Sequence, residues 1–174
     1  MKTKIQKWLD ESNQKDLVLK QHNATLVNSV LNTRFNAAAL PNGEIMITRG
    51  LFENLSSQQL KAVMEHEACH VKHHDGVAQL ILSGILFIAS MVVTRRAPKG
   101  MKVKVYVASS VVTRIILSGF SWFTEFRADR AAFNDVALIQ ALHRIDMLNG
   151  TSPLGCITHP PTSMRAKMLF KKSR

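Results

Sequence analysis

The sequence predicts a mainly α fold of the α+β class, in which a short β-hairpin precedes a series of helices, two of them strongly apolar. Three observations predict it. Apolar residues recur at helical spacing along most of the chain. Asn42-Gly43 separates two short apolar runs, and both residues tolerate the positive φ of a hairpin turn. Two long apolar stretches flank the basic turn 95–104. With 174 residues, 46% hydrophobic and 20% charged, the chain fits a single ordered domain, 1–174, and excludes disorder, collagen-like repeats and low complexity.

Taken in order, residues 1–33 read as helical, from Ile5, Trp8 and Leu9 and then Leu26, Val27, Val30 and Leu31. The polar stretch Asp10 to Lys15 interrupts or exposes one side. Phe35 to Leu40 and Glu44 to Thr48, joined through Pro41-Asn42-Gly43, read as two short strands. Ser56 and Gln59 stand at capping-box spacing, which satisfies orphan amides at a helix start. Leu60, Met64, Ala68 and Val71 form the buried stripe of that helix, which ends near Asp75-Gly76.

Gly76 to Thr94 holds no charge in 19 residues, close to the ~20 needed to cross a bilayer. Lys104 to Glu125 encloses a second apolar stretch with Arg114 at its middle. Polar residues fall on one stripe of each, Gln79, Ser83, Ser90 and Thr94 on the first and Ser110, Arg114, Ser118 and Ser121 on the second. Such stripes let two apolar helices pack together, in lipid or in a protein core. Phe123 to Leu148 reads as one long helix, broken at Asn149-Gly150. A loop through His159-Pro160-Pro161 then leads to a last short helix, 162–171.

The formal charge of +11 is uneven. Residues 1–94 carry a net +1 and residues 95–174 a net +10. A basic half suits nucleic acid, an anionic membrane surface or a solvated face. Aromatic residues are only 6%, with no repeated aromatic-plus-basic pattern, so nucleic acid is not the expected partner. Two cysteines are too few for a disulfide scaffold. No apolar run follows the lysines of Met1 to Lys15, so no cleaved secretory signal is expected there.

The chemistry concentrates in His66-Glu67-Ala68-Cys69-His70. Histidines four apart on a helix stand one turn above another, about 5–6 Å between Cβ atoms. Both imidazoles can therefore reach one tetrahedral Zn²⁺. Glu67, from the same turn, can take the proton of an activated water without being a ligand. A catalytic zinc wants a third protein ligand, and the candidate is Glu125, with Asp129 one turn further on. One carboxylate would bind metal while the other accepts the free N–H of a ligand imidazole. The alternative is a solvated Glu125/Asp129 pair bridged to Arg127 or Arg130. His73 and His74 follow too closely to join the same tetrahedral set. Cys69 reads as a small buried residue, and Cys156 lacks the sulfur partners of a thiolate site.

Gly50-Leu51 through Leu55-Ser56, Gln59 to Val63 and the His66–His70 motif together resemble the HtpX-type and CAAX prenyl endopeptidase family of zinc metallopeptidases. Asn36-Ala37 before the Pro41-Asn42-Gly43 turn, Ile45-Met46-Ile47-Thr48, Glu125 to Asp129, and Thr158-His159-Pro160-Pro161-Thr162 with Arg165 extend the resemblance from about Asn36 to Leu169. It implies a zincin-like metallopeptidase core of the gluzincin type and one zinc per chain. His66, His70 and Glu125 would be the ligands, Glu67 the general base and acid, and Asp129 the partner of a ligand histidine. His159 would donate to the oxyanion, and Arg165 would hold Glu125 or assist His159. The alternative is a His159 that caps the Pro-Pro turn and an Arg165 at the surface. The Asn36–Thr48 hairpin would supply the edge strand for an extended polypeptide substrate, with Asn36, Ile45, Met46 and Ile47 as substrate-binding positions.

The apolar hairpin 76–124 is then an insertion between the histidine-motif helix and the third-ligand helix, resembling the HtpX type. Membrane members of the family also carry transmembrane helices ahead of the histidine motif, and none is read here. The serine–arginine pair often found before the third-ligand glutamate reads Ser121-Trp122, so a prenyl-protein substrate is not carried over. Membrane association through 76–94 and 105–124 is expected, with a cytoplasmic catalytic body. Arg114 costs at least ~2.5 kcal/mol near a bilayer midplane unless paired or hydrated. The basic turn prefers the cytoplasm, which in a spanning hairpin would place the body outside. A hairpin lying on or dipping into an anionic leaflet avoids both difficulties. A soluble, cytoplasmic helical pair covering the core is the alternative. The function expected is zinc-dependent endopeptidase, and the alternative is a membrane-associated adaptor that binds peptide without cutting.

Overall fold

The computed structural model describes residues 3–27, 35–150 and 159–172. Its elements are α1 (Lys4–Gln21), β1 (Ala24–Val27), β2 (Ala37–Ala39), β3 (Ile45–Thr48), α2 (Arg49–Asn54), α3 (Ser57–Lys72), α4 (Asp75–Arg96), α5 (Lys102–Ala131), α6 (Asp135–Asn149) and α7 (Thr162–Lys172). A 3-10 turn, Lys99–Met101, joins α4 to α5. The fold is mainly α with one small sheet, the class the sequence predicts.

The expected capping box starts α3. Ser56 Oγ accepts from the Gln59 amide at 3.3 Å and Gln59 Oε1 accepts from the Ser56 amide at 3.0 Å. Leu60 and Met64 on this helix are fully buried and join Ile45, Ile47, Leu51, Leu55, Leu138 and Leu169 in the core. Helices α1, α5 and α6 and strand β2 pack around α3. The histidine motif is thus carried by the most enclosed helix of the molecule, where burial of an apolar stripe fixes its rotation.

The sheet order is β1-β3-β2, with β1 parallel and β2 antiparallel to β3. The predicted hairpin is present, and Gly43 takes φ +89° in its turn. The predicted helix over 1–33 is not continuous. It ends at Gln21, Asn23 enters the left-handed region at φ 50°, and Ala24–Val27 pairs with β3 instead. Leu26 and Val27 satisfy helical spacing, but their pairing with Ile47 and Thr48 of β3 decides their conformation. Val30 and Leu31 lie outside the described residues.

The expected single helix from Phe123 to Leu148 is also two. Ala132 leaves α5 in extended conformation, and Asn134 Oδ1 accepts from the Ala137 amide at 3.0 Å to start α6. In the other direction there is no boundary at 124, because α5 is continuous from the hairpin through Glu125 and Asp129. The third-ligand candidate therefore stands on the inner end of the second apolar helix.

Helices α4 and α5 pack on each other, with Ser90 Oγ 2.7 Å from Ser109 Oγ. Both are long and apolar enough to cross a membrane, and their apolar stretches are unburied. Leu80, Ile81, Phe87, Ile88, Val107 and Ile115 are all exposed. The alternative of a helical pair covering the core is not what the chain builds.

Candidate active site

Four elements converge at one end of α3: the β2 edge, the inner end of α5, the start of α4, and the segment from His159 into α7. His66, Glu125, Asp129 and Arg165 are buried there, and His70 and Glu67 are partly buried. His66 Nε2 lies 3.2 Å from His70 Nε2 and 3.5 Å from Glu125 Oε2, and His70 Nε2 lies 3.6 Å from Glu125 Oε1. Glu125 meets the two imidazoles through different oxygens. One ligand atom from each of the three residues lies within 4.8 Å of the other two, somewhat wider than the roughly 3.3–3.5 Å edges of a tetrahedral zinc site. His66, His70 and Glu125 form a group that could hold a metal.

The far side of each imidazole decides what the near side presents. His66 Nδ1 faces Asp129 Oδ1 at 3.1 Å, and His70 Nδ1 faces Asp75 Oδ2 at 2.8 Å. A carboxylate accepts, so in the neutral rings the proton sits on Nδ1 and both Nε2 lone pairs point at the same place. Two lone pairs 3.2 Å apart repel unless a proton or a cation lies between them. The donor set therefore fits a borderline ion such as zinc, with histidine nitrogens and one carboxylate.

Without a metal, the carboxylates hold protons on these rings. Burial opposes a charged His66, but Asp129 and Glu125 outweigh it and push its pKa up to about 9. His70 is likewise raised, burial again opposing and Glu125 and Asp75 prevailing. Arg165 donates through Nε to Asp129 Oδ2 at 2.8 Å and through Nη2 to Oδ1, while Nη1 lies 3.2 Å from Glu125 Oε2. Burial works against its charge, yet the Asp129 and Glu125 carboxylates raise its pKa further. Arg165 is thus a buried cation gripping two carboxylates, not a surface residue.

Glu67 Oε2 accepts the Ala39 amide of β2 at 2.9 Å, which places this carboxylate between the strand and the histidines. His159 Nδ1 lies 3.0 Å from Glu125 Oε1, with 60% of its side chain exposed. A shallow recess here is lined by Ala39, Leu40, His70, Val71 and Val77 among others. His73 and His74 are exposed, and Cys69 is buried with Sγ 3.5 Å from His73 Nδ1. Cys156 and Thr158 lie outside the described residues.

The sequence model of peptidase family M48 matches residues 2–172. The chain belongs to that family. M48 relatives include Protease HtpX of Haemophilus influenzae strain PittEE, 26% identical over 177 residues that cover 80% of this chain and 62% of that protein. Protease HtpX of Xylella fastidiosa strain 9a5c is 28% identical over 160 residues, 78% of this chain and 53% of that one. Protease HtpX of Vibrio vulnificus strain YJ016 is 26% identical, covering 72% and 57%. The HtpX-type resemblance read from the motifs therefore holds, while this M48 chain spans only about three fifths of such relatives.

Two expected positions in this M48 site need correction. Ile45 and Ile47 cannot line a peptide, because β3 is the central strand, paired on both edges, and both side chains are in the core. Met46 shares that strand and is partly buried, while Asn36 lies exposed at the start of β2. Among the described residues, the outer edge of the sheet on the side of the site belongs to β2, Ala37–Ala39. The sequence reading also missed Asp75 and Arg127, whose Nη2 donates to Asp75 Oδ1. Their only signal was an acid five residues past His70 and a cation between Glu125 and Asp129.

Proposed function

We propose that the chain is a zinc-dependent endopeptidase, a single metallopeptidase domain that cleaves extended polypeptide. The observation that carries this reading is the convergence of His66 Nε2, His70 Nε2 and the Glu125 carboxylate in one cluster, with a carboxylate facing each Nδ1. Zinc, when bound by His66, His70 and Glu125, would make a water acidic and polarise the scissile carbonyl.

The protein's own groups do the rest. Glu67 accepts the proton of the attacking water and passes it to the leaving amine. Its hydrogen bond from Ala39 ties that carboxylate to the strand on which substrate would lie. An extended peptide adds to the β2 edge, main chain to main chain, which sets the scissile bond against Glu67 without demanding a particular side chain. His159, mostly exposed and beside Glu125, donates to the oxyanion that develops at the attacked carbonyl. Arg165 balances Glu125 and Asp129 so that both stay ionised in a buried site.

The unburied apolar pair α4/α5 supports association with a membrane. Arg114 is exposed midway along α5, with no ion pair among the described residues, and five cations crowd the tip at 95–104. A hairpin lying in an anionic leaflet keeps all six charges at headgroups and the body on the cytoplasmic face.

The deciding experiment measures metal content and cleavage of unfolded casein together. Wild type is expected to hold about one zinc per chain and to lose cleavage with a chelator. Glu67→Gln should keep the zinc and lose turnover. Zinc without any cleavage in wild type would instead favour a peptide-binding adaptor, and absence of zinc would end the metallopeptidase reading.

A further inference from the structure

His66 is oriented by Asp129, but the second imidazole has a separate support that the chemistry above does not use. Asp75, the first residue of α4, is 7% exposed and uses both of its oxygens. Oδ2 lies 2.8 Å from His70 Nδ1, and Oδ1 accepts from Arg127 Nη2 on α5. The Arg127 guanidinium in turn lies 5.8 Å over the Phe123 ring. The chain reaches this arrangement through His74, the N-cap of α4, whose φ of 52° turns the chain between α3 and α4 and brings Asp75 back toward His70.

We propose that Asp75 and Arg127 are positioning residues that hold His70 with its Nε2 lone pair facing the metal site, and that they tie this imidazole to the base of the apolar hairpin. The proposal rests on reading His66, His70 and Glu125 as metal ligands. Asp75 can only accept, so it selects the Nδ1–H tautomer of neutral His70. Burying a lone carboxylate is costly, and Arg127 supplies the cation that keeps Asp75 ionised and aimed. Arg127 acts only through Asp75 and touches no reacting group. Because Asp75 opens α4 and Arg127 stands near the end of α5, the chain of contacts closes only when the two helices meet at their base as they do here. A change in the crossing of the hairpin would reach His70 through this pair.

The test is zinc affinity, measured on the whole chain by competition with a chromophoric chelator. Asp75→Asn, which keeps the shape, and Arg127→Ala are each expected to weaken zinc binding about 10- to 100-fold. The double variant should be no weaker than the worse single one, because both act along one path. Arg127→Lys should recover part of the affinity. A purely structural pair would lower the melting temperature of the metal-free protein and leave the affinity of the folded fraction unchanged; that pattern overturns the proposal. Equal affinity in all variants beside a zinc-loaded wild type also overturns it, while a wild type that takes no zinc defeats the metal reading on which it stands.

Discussion

Asp129 bridges His66 and Arg165: Oδ1 stands 3.1 Å from His66 Nδ1, and Oδ2 accepts Arg165 Nε at 2.8 Å. One buried carboxylate thereby faces the His66 imidazole of α3 and is itself held by Arg165 of the helix that follows His159. Arg165 also reaches Glu125, so a single guanidinium faces both the Glu125 and the Asp129 carboxylates. The planar fork matters, since three donors serve two acceptors in fixed directions.

Replacing Arg165 should therefore do more than remove a surface charge. Arg165→Ala leaves two buried carboxylates without their common cation, a change worth about 3–5 kcal/mol of stability for a broken buried pair. Arg165→Lys keeps the charge but not the fork, and is expected to fold while binding zinc less tightly. Thermal unfolding with and without zinc measures both. An Arg165→Ala protein as stable as wild type would show that the contacts carry no net weight.

The raised His66 pKa makes metal binding compete with protons. In the unfolded chain this histidine titrates near 6.5, and in the folded, metal-free protein it holds its proton up to about 9. A raised folded pKa contributes stability that is fully present below 6.5 and is lost as the pH climbs through 9. Zinc takes the neutral ring, so its apparent affinity should rise with pH until about 9 and then level off. Calorimetric zinc titration in two buffers of different ionisation heat, at pH 7.5, should report proton release on binding. Release of no protons would contradict the ion pairs drawn here.

How much of this was legible in the sequence follows from range. The α3 cap and the placement of His66, Glu67 and His70 on one helix are local, set by spacing within a few turns, and the structure agrees. Glu125 and Asp129 were recognisable because a turn of helix puts both on one side. Strand order is not local, which is why Ile45 and Ile47 looked like a peptide-binding strand although β1 fills their other edge. The four-residue strand β1 carries apolar residues that suit a helix equally well, and only its partner decides. Asp75 depends on a left-handed histidine turn that no periodicity announces.

The hairpin supports a membrane prediction with a charge dependence. If α4 and α5 lie in an anionic leaflet, vesicles rich in acidic phospholipid should capture the protein and neutral vesicles should capture less. Replacing the five cations of 95–104 by serine should then cost about 1 kcal/mol each near the surface, diminishing with salt. Cosedimentation with the two vesicle types measures it. Carbonate extraction gives the counter-result, because protein that resists alkaline release from membranes spans them.

The last prediction concerns the strand that would receive substrate. Thr48 donates to Asn36 O at 2.9 Å and Leu40 donates to Glu44 O at 2.8 Å, so every second residue of β2, Ala38 included, turns its backbone toward β3. Ala37 and Ala39 therefore turn theirs outward, and the Ala39 amide already meets Glu67. Proline at position 37 removes one outward donor without touching the ladder, a position edge strands tolerate. Proline at position 38 removes a ladder bond. Ala37→Pro should thus raise KM for an extended peptide about 2- to 10-fold, the worth of one hydrogen bond, with kcat and melting temperature nearly unchanged. Ala38→Pro should instead lower the melting temperature. Steady-state kinetics beside thermal unfolding separates the two. If Ala37→Pro leaves KM where it was, peptide does not dock along β2, and Glu67 must meet its substrate from another direction.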